Sequence, residues 1–193
     1  MVTARIQTRA ITSAAWLFAW RRSAGAALVT SATAVNVGVT VSCEALPTSA
    51  TGTVAYLDMD ARDAGKILAA AADTLDFGQP VAVMLIAILH LIPDGDDPWK
   101  LVADLMAATA PGSYLAITHP ASDVTPDASA RASRAYNHNV ATPQIRRSRD
   151  EVARFFSGLE LVEPGLVQLA DWRPAPGDLP APTSGYGAVA RKP

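Results

Sequence analysis

A short, unbroken apolar run near the middle of the chain constrains the fold most. Residues 81–89 are all apolar, and the run stops at His90, just before a Pro93-Asp94 turn. This run is too short to cross a membrane. It is typical of a strand that is buried on both faces of a parallel sheet. Ligands of open α/β sheets bind beyond the carboxyl ends of such strands, so we expect the chemistry near residues 86–90.

Composition narrows the classes of protein that remain. A chain of 193 residues suffices for one domain with its own core. The net charge of -2 and the isoelectric point near 5.9 give no reason to expect a nucleic-acid partner. The single cysteine, Cys43, excludes an internal disulfide and is consistent with a cytoplasmic protein.

The histidines and a cluster of arginines give weaker signals. His90, His119 and His138 lie far apart in sequence and lack metal-ligand spacing, so we expect no metal site. The basic residues at 146, 147 and 149 are interpreted as the solvated start of a helix.

Strands and helices alternate along residues 44–193. The predicted strands cover residues 53–57, 81–90, 113–118, 159–167 and 186–191. The predicted helices cover residues 64–75, 98–109 and 128–136, with a last helix after Ser148. Aspartates precede the first two, and Ser148 with Glu151 matches a capping box. This order predicts an α/β fold with a mainly parallel sheet, in which the two closing strands pair antiparallel at one edge.

Residues 1–43 follow a different pattern and are treated as a separate N-terminal segment. An apolar stretch ends at Arg21-Arg22, and residues 23–43 carry no charge. One interpretation is a signal sequence or membrane anchor, but the stretch is rich in small and polar residues. We favour a strand over 33–41, where valine and threonine alternate with other residues at a period of two, and we expect no membrane association.

Several motifs along residues 44–193 resemble those of a known family. They are the acidic turn at 58–63, the segments 87–94 and 110–115, and the C-terminal segments 149–167, 171–174 and 186–193. Together they resemble class I S-adenosylmethionine (SAM)-dependent methyltransferases, in particular the bacterial S-adenosyl methyltransferase family. The resemblance implies a Rossmann-like three-layer sandwich, SAM as cofactor and a methyl acceptor, a small molecule or otherwise, that the sequence does not identify.

The resemblance also implies a cofactor site. Asp60 would accept a hydrogen bond from the adenine amino group, and the N–H of Ala61 would meet a ring nitrogen. Ile86 and Ala87 would line the site at the end of the buried strand. The alternative for Asp60 is that it only caps the helix that follows.

Acceptor-site residues follow from the same resemblance. His90 and His119 are the candidate catalytic residues, since an imidazole can orient an acceptor or remove a proton. The alternative is that both histidines only close the pocket. Tyr136 and His138 lie in the segment that covers the acceptor site in this fold, and they are the candidate substrate-binding residues. That segment is alternatively an ordinary solvated connection.

The N-terminal half departs from the family pattern. A complete member has a glycine-rich loop after its first strand and an acid after its second strand, but Gly25 and Gly38 are isolated and residues 23–43 supply no acid. We therefore expect a fold that is incomplete at its N-terminal half, as in a truncated chain, and impaired SAM binding. Loss of central strands would expose the buried strand. The alternative function is a noncatalytic remnant that forms a homo-oligomer through an exposed sheet edge.

Overall fold

The computed structural model describes residues 26–31, 40–44, 54–138, 140, 142–174 and 183–193. The strands are β1 (Ala26–Ser31), β2 (Thr40–Glu44), β3 (Val54–Asp58), β4 (Val81–Ile86), β5 (Tyr114–Pro120), β6 (Glu160–Leu161), β7 (Val167–Gln168) and β8 (Gly185–Arg191). The α-helices are α1 (Ala64–Ala71), α2 (Pro98–Ala107), α3 (Pro126–Asn137) and α4 (Arg149–Ala153).

All described strands belong to one sheet. Their order is β3-β2-β1-β4-β5-β8-β6, and β7 also pairs with β8. The three central strands β1, β4 and β5 are parallel, whereas β8 is antiparallel to β5, β6 and β7. This arrangement confirms the Rossmann-like α/β class and the antiparallel C-terminal strands. Strand β3 runs in the same direction as β4, because β2 is antiparallel to both β1 and β3.

Strand β4 has neighbours on both sides, which corrects the expectation that it would be exposed. It pairs with β1 along its whole length and with β5 on its other side. The strand predicted over 33–41 lies mostly outside the described residues, and only Thr40 and Val41 fall in β2. Residues 26–31, which were not predicted as a strand, fill the place beside β4 and satisfy its backbone hydrogen bonds.

The core forms where helices cover the sheet. Strand β4 is almost fully buried, as the apolar run predicted, but it ends at Ile86. Helix α2 buries the predicted stripe of Leu101, Val102, Leu105 and Met106. These side chains join one core cluster with residues of α1, β5 and β8. Burial of this apolar surface is the main term that holds the helices on the sheet.

Three of the four predicted helix starts are confirmed, and the helix predicted over 128–136 begins at Pro126 instead. Asp63 and Asp97 each accept a hydrogen bond from a backbone N–H of the first turn of α1 and α2. Ser148 and Glu151 form the reciprocal bonds of a capping box at α4. Among the described residues, no helix has the length and apolar content that a membrane span requires.

Candidate functional site

The carboxyl ends of the central strands lie side by side. Ile86 at the end of β4 is in register with Ser31 of β1 and with Thr118 of β5. On the far side of β1, Thr40 of β2 pairs with Asp58 at the end of β3. The turns that follow β3, β4 and β5 therefore share one edge of the sheet, where an open α/β sheet binds its ligands. We call it the carboxyl edge.

Asp60 follows β3 and is bound by its neighbour Arg62. The Arg62 side chain donates to both carboxylate oxygens of Asp60, with its Nη2 atom 2.6 Å from Oδ2. The hydrogen bonds from Arg62 hold the pKa of Asp60 below its usual range. Arg62 also reaches Asp96, 3.1 Å away. An adenine amino group would therefore share the Asp60 carboxylate with Arg62, while the neighbouring Ala61 is buried.

The end of β4 has an unusual backbone. Ala87 has a φ of 51°, a conformation that is uncommon for residues other than glycine. Its N–H donates to the Thr118 hydroxyl at 2.9 Å, which ties the strained turn to β5. Ile86 is half-buried beside it. These contacts fix the direction in which the chain leaves β4 for the 3₁₀ helix Leu89–Leu91.

His119, near the end of β5, is buried, and both of its ring nitrogens have hydrogen-bond partners. It is only 1% exposed, its Nδ1 lies 3.0 Å from the Pro120 carbonyl oxygen, and its Nε2 lies 2.8 Å from Nη1 of Arg147. Because a guanidinium only donates, Nε2 accepts, and the ring proton on Nδ1 donates to Pro120. Burial and the Arg147 charge lower the pKa of His119 to about 3. Both nitrogens are occupied, which favours a structural role over the predicted catalytic one.

His90 lies next to His119 but is bonded differently. The two rings meet edge to face with their centroids 6.3 Å apart. The Nδ1 atom of His90 is buried and has no hydrogen-bond partner among the described residues. Burial, then the charges of Arg146 and Arg147, lower the pKa of His90 to about 4, so its ring is neutral near pH 7. Of the two candidate histidines, only His90 offers a free ring nitrogen at the carboxyl edge.

Arg147 corrects the prediction that the arginines are solvated, because its side chain is only 1% exposed. It donates to the carbonyl oxygens of Leu89 and Ile92 and to Nε2 of His119, each at 2.8–2.9 Å. Its Nη2 also lies 2.6 Å from the carboxylate of Asp94. One guanidinium thus joins the turn after β4 to the end of β5.

No sequence signal separates Arg147 from the arginines around it. All of these lie beside the capping box at the start of α4. The aromatic rings of Trp99 and Phe155 lie 5.2 Å and 5.6 Å from the Arg147 guanidinium. Only these long-range contacts distinguish the buried arginine.

The candidate substrate-binding residues lie on and beyond the helix after β5. Tyr136 is 38% exposed on α3, and His138 is exposed just after the helix. The segment that returns from α3 does reach the carboxyl edge, since the Ile145 N–H donates to the His90 carbonyl oxygen at 2.7 Å. The roles of Tyr136 and His138 stay predictions.

A separate groove lies away from these residues. It has a volume of about 540 Å³ and is bordered by α2, residues 154–159 and the C-terminus. None of the predicted site residues lines it. In the part of the chain that the structure describes, no group of three or more potential ligands could hold a metal ion.

Comparison with known proteins decides the family. A family model for S-adenosyl methyltransferases matches residues 27–193. The chain belongs to the S-adenosyl methyltransferase family. The match extends upstream of residue 44 and includes β2 and all but the first residue of β1. SAM is the cofactor of this family, as the resemblance implied.

Two solved structures resemble this family member. A DUF574 family protein from Streptomyces avermitilis is 39% identical, with a TM-score of 0.66, over 71% of this chain and 54% of that protein. A candidate methyltransferase from Thermobifida fusca is 34% identical, with a TM-score of 0.60, over 69% of this chain and 52% of that protein. The chain thus spans about half the length of each of these relatives. No curated protein matches it.

Proposed function

We propose that this chain carries out SAM-dependent methyl transfer to an acceptor still to be identified. We also propose that its SAM binding is weakened at the ribose and amino-acid end of the cofactor. Family membership and the parallel carboxyl edge of β1, β4 and β5 support the reaction class. When bound, SAM supplies a methyl group already activated on a sulfonium. The protein therefore needs mainly to orient the acceptor and exclude water.

The residues after β3 and β4 fit the adenine and methyl end of the cofactor. The Asp60 carboxylate is half exposed, and an adenine amino group would share its two oxygens with the Arg62 N–H and side chain that already donate to them. Ala61 follows it in the turn, Ile86 ends the strand β4, and Ala87 follows Ile86. These four residues would hold this end of SAM.

The direction of β2 is the observation that supports weakened SAM binding. Because β2 runs antiparallel to β1, its last residue, Glu44, pairs with Val54 at the start of β3. Glu44 therefore lies at the opposite edge of the sheet from Asp58. No acid at the end of β2 reaches the carboxyl edge, and the sequence after β1 has no G-x-G motif for close approach to the cofactor.

Isothermal titration with SAM tests this proposal. We expect a dissociation constant above roughly 100 µM, equivalent to less than about 5.5 kcal/mol of binding free energy. Asp60→Asn should weaken binding further, because it removes the charge opposite the adenine amino group. The matched control is Asp63→Asn, which changes the cap of α1 and the ion pair between Asp63 and Lys66. Micromolar affinity for SAM would contradict the impairment, and equal effects of the two variants would contradict the adenine role of Asp60.

A noncatalytic, self-associating module is the second candidate. The edge expected to mediate it is not exposed, since β4 is paired on both sides. One observation still favours a contact elsewhere: Leu161 on the end strand β6 is 48% exposed. In size-exclusion chromatography, a monomer that binds SAM would support the enzyme, whereas an obligate oligomer that does not bind SAM would support the module.

A further inference from the structure

Arg146 lies near the carboxyl edge of the sheet, and one side of its guanidinium group has no hydrogen-bond partner among the described residues. Its Nε atom is buried and has no hydrogen-bond partner among the described residues. Its Nη1 makes one long hydrogen bond, 3.4 Å, to the carbonyl oxygen of Ala121. A guanidinium has five N–H groups and accepts no hydrogen bonds, so a buried Nε without a partner would be stabilised by an acceptor from outside these residues.

Arg146 also lacks a carboxylate counter-ion in the part of the chain described. The two acids of the neighbouring turns are already engaged: Asp94 pairs with Arg147, and Asp123 accepts hydrogen bonds from the Arg149 N–H and the Tyr186 hydroxyl. A half-buried cation without an anion is costly, because burial removes part of its hydration. An anionic ligand would remove this cost.

His90 supplies a second unused polar atom beside Arg146. The Ile145 N–H, one residue before Arg146, is bonded to the His90 carbonyl oxygen at 2.7 Å. The charge of Arg146 contributes to the lowered pKa of His90, so the two side chains lie within electrostatic range. In the tautomer that carries its proton on Nδ1, the neutral His90 ring donates a hydrogen bond. Each of the two unpaired groups can therefore donate a hydrogen bond to a ligand.

We propose that Arg146 and His90 form a carboxylate-binding subsite, with Arg146 gripping the carboxylate through Nε and Nη2 and His90 donating from Nδ1. A carboxylate matches the parallel donors of a guanidinium, and such bidentate pairs are among the stronger hydrogen-bonded contacts. If the proposed methyl transfer holds, the subsite anchors an acceptor that carries a carboxylate. Binding of the carboxylate itself does not depend on SAM.

Titration with benzoate, followed by NMR of the arginine Nε–H and histidine ring signals, tests the subsite. With benzoate titrated to ~50 mM, a site with a Kd of about 10 mM would be detected. We expect the Arg146 and His90 signals to shift and neutral benzamide to have no effect. Arg146→Gln should weaken benzoate binding by about tenfold or more. Arg146→Lys, which keeps the charge but loses the bidentate geometry, should give an intermediate loss.

Arg131→Gln is the matched control, because it removes the same charge from the exposed surface of α3. It should leave benzoate binding unchanged. Failure of the wild-type protein to bind benzoate, equal binding of benzamide, or equal losses in the Arg146 and Arg131 variants would overturn the subsite. Because this measurement omits SAM, it separates failure of the subsite from failure of the methyl-transfer proposal. Benzoate binding without SAM binding would leave the subsite in place and count against the enzyme.

Discussion

Replacing Arg147 with methionine is expected to lower the free energy of unfolding by about 3–5 kcal/mol. Methionine keeps much of the side-chain volume but provides no donors. The carbonyl oxygens of Leu89 and Ile92 and the Nε2 atom of His119 would lose their partner inside the protein. Each buried acceptor left unsatisfied costs about 1–3 kcal/mol.

The loss should come mainly from these neutral acceptors rather than from the ion pair. The Asp94 side chain is 56% exposed, so water can replace Arg147 as its partner. Asp94→Asn keeps an acceptor oxygen but leaves the buried Arg147 guanidinium without its counter-ion, so it should lower the free energy of unfolding by about 1–3 kcal/mol, less than Arg147→Met does. Urea denaturation followed by circular dichroism measures both variants. Arg131→Met is the control, because that side chain is exposed on α3. Equal stability of the Arg147 and Arg131 variants would show that the buried network contributes nothing.

The second expected result is a loss of stability between pH 7.5 and pH 5. Burial lowers the pKa of His90 to about 4 and that of His119 to about 3 in the folded chain. An unfolded histidine has a pKa near 6.5, so the unfolded state binds more protons over this interval. Stability is therefore fully present above pH 6.5 and is lost as the pH falls toward the folded pKa values. Each histidine should contribute about 2 kcal/mol to the loss by pH 5.

The surroundings of the two rings explain this sign. Arg146 and Arg147 are the nearby cations, and both disfavour an imidazolium at His90. At His119, the Pro120 carbonyl and Asp94 act in the opposite direction, but burial outweighs them. The interval from pH 7.5 to 5 lies above the range in which most carboxylates titrate, so the histidines dominate it.

Variants assign the pH effect to individual residues. Urea denaturation at pH 7.5 and at pH 5 should show about half the wild-type loss in His90→Gln, because glutamine does not titrate. Arg131→Gln changes an exposed residue of α3 and should leave the wild-type loss intact. If wild-type stability were the same at both pH values, the two rings would not be held neutral by burial.

Much of the fold could be predicted because its signals are local. The run at 81–89 predicted the buried strand β4, and the aspartate caps and the capping box predicted where α1, α2 and α4 begin. A cap involves residues only three positions apart, so a short window of sequence contains all its partners. The family resemblance likewise depended on motifs whose order is visible along the chain.

The sheet near the N-terminal segment could not be predicted in the same way. Alternation at a period of two shows that a segment can form a strand. It does not indicate whether that strand runs parallel or antiparallel to its neighbours. The direction of β2, which places Glu44 at the opposite edge from Asp58, depends on pairing with β1 and β3. The proposed weakness toward SAM therefore depends on tertiary contacts as well as on the missing motif.

The sequence alone determined the α/β class and the position of the buried strand, and it predicts the edge of the sheet where a ligand would bind. Tertiary structure decided which polar groups at that edge are engaged and which are free. Arg146 and Arg147 are adjacent in sequence, but their hydrogen bonding differs. The Arg147 guanidinium bonds to residues as far as 58 positions away, whereas the Nε atom of Arg146 is unpaired. The reason is that the burial and hydrogen bonding of a side chain depend on residues that the sheet brings together. A local sequence pattern does not show which distant residues become neighbours.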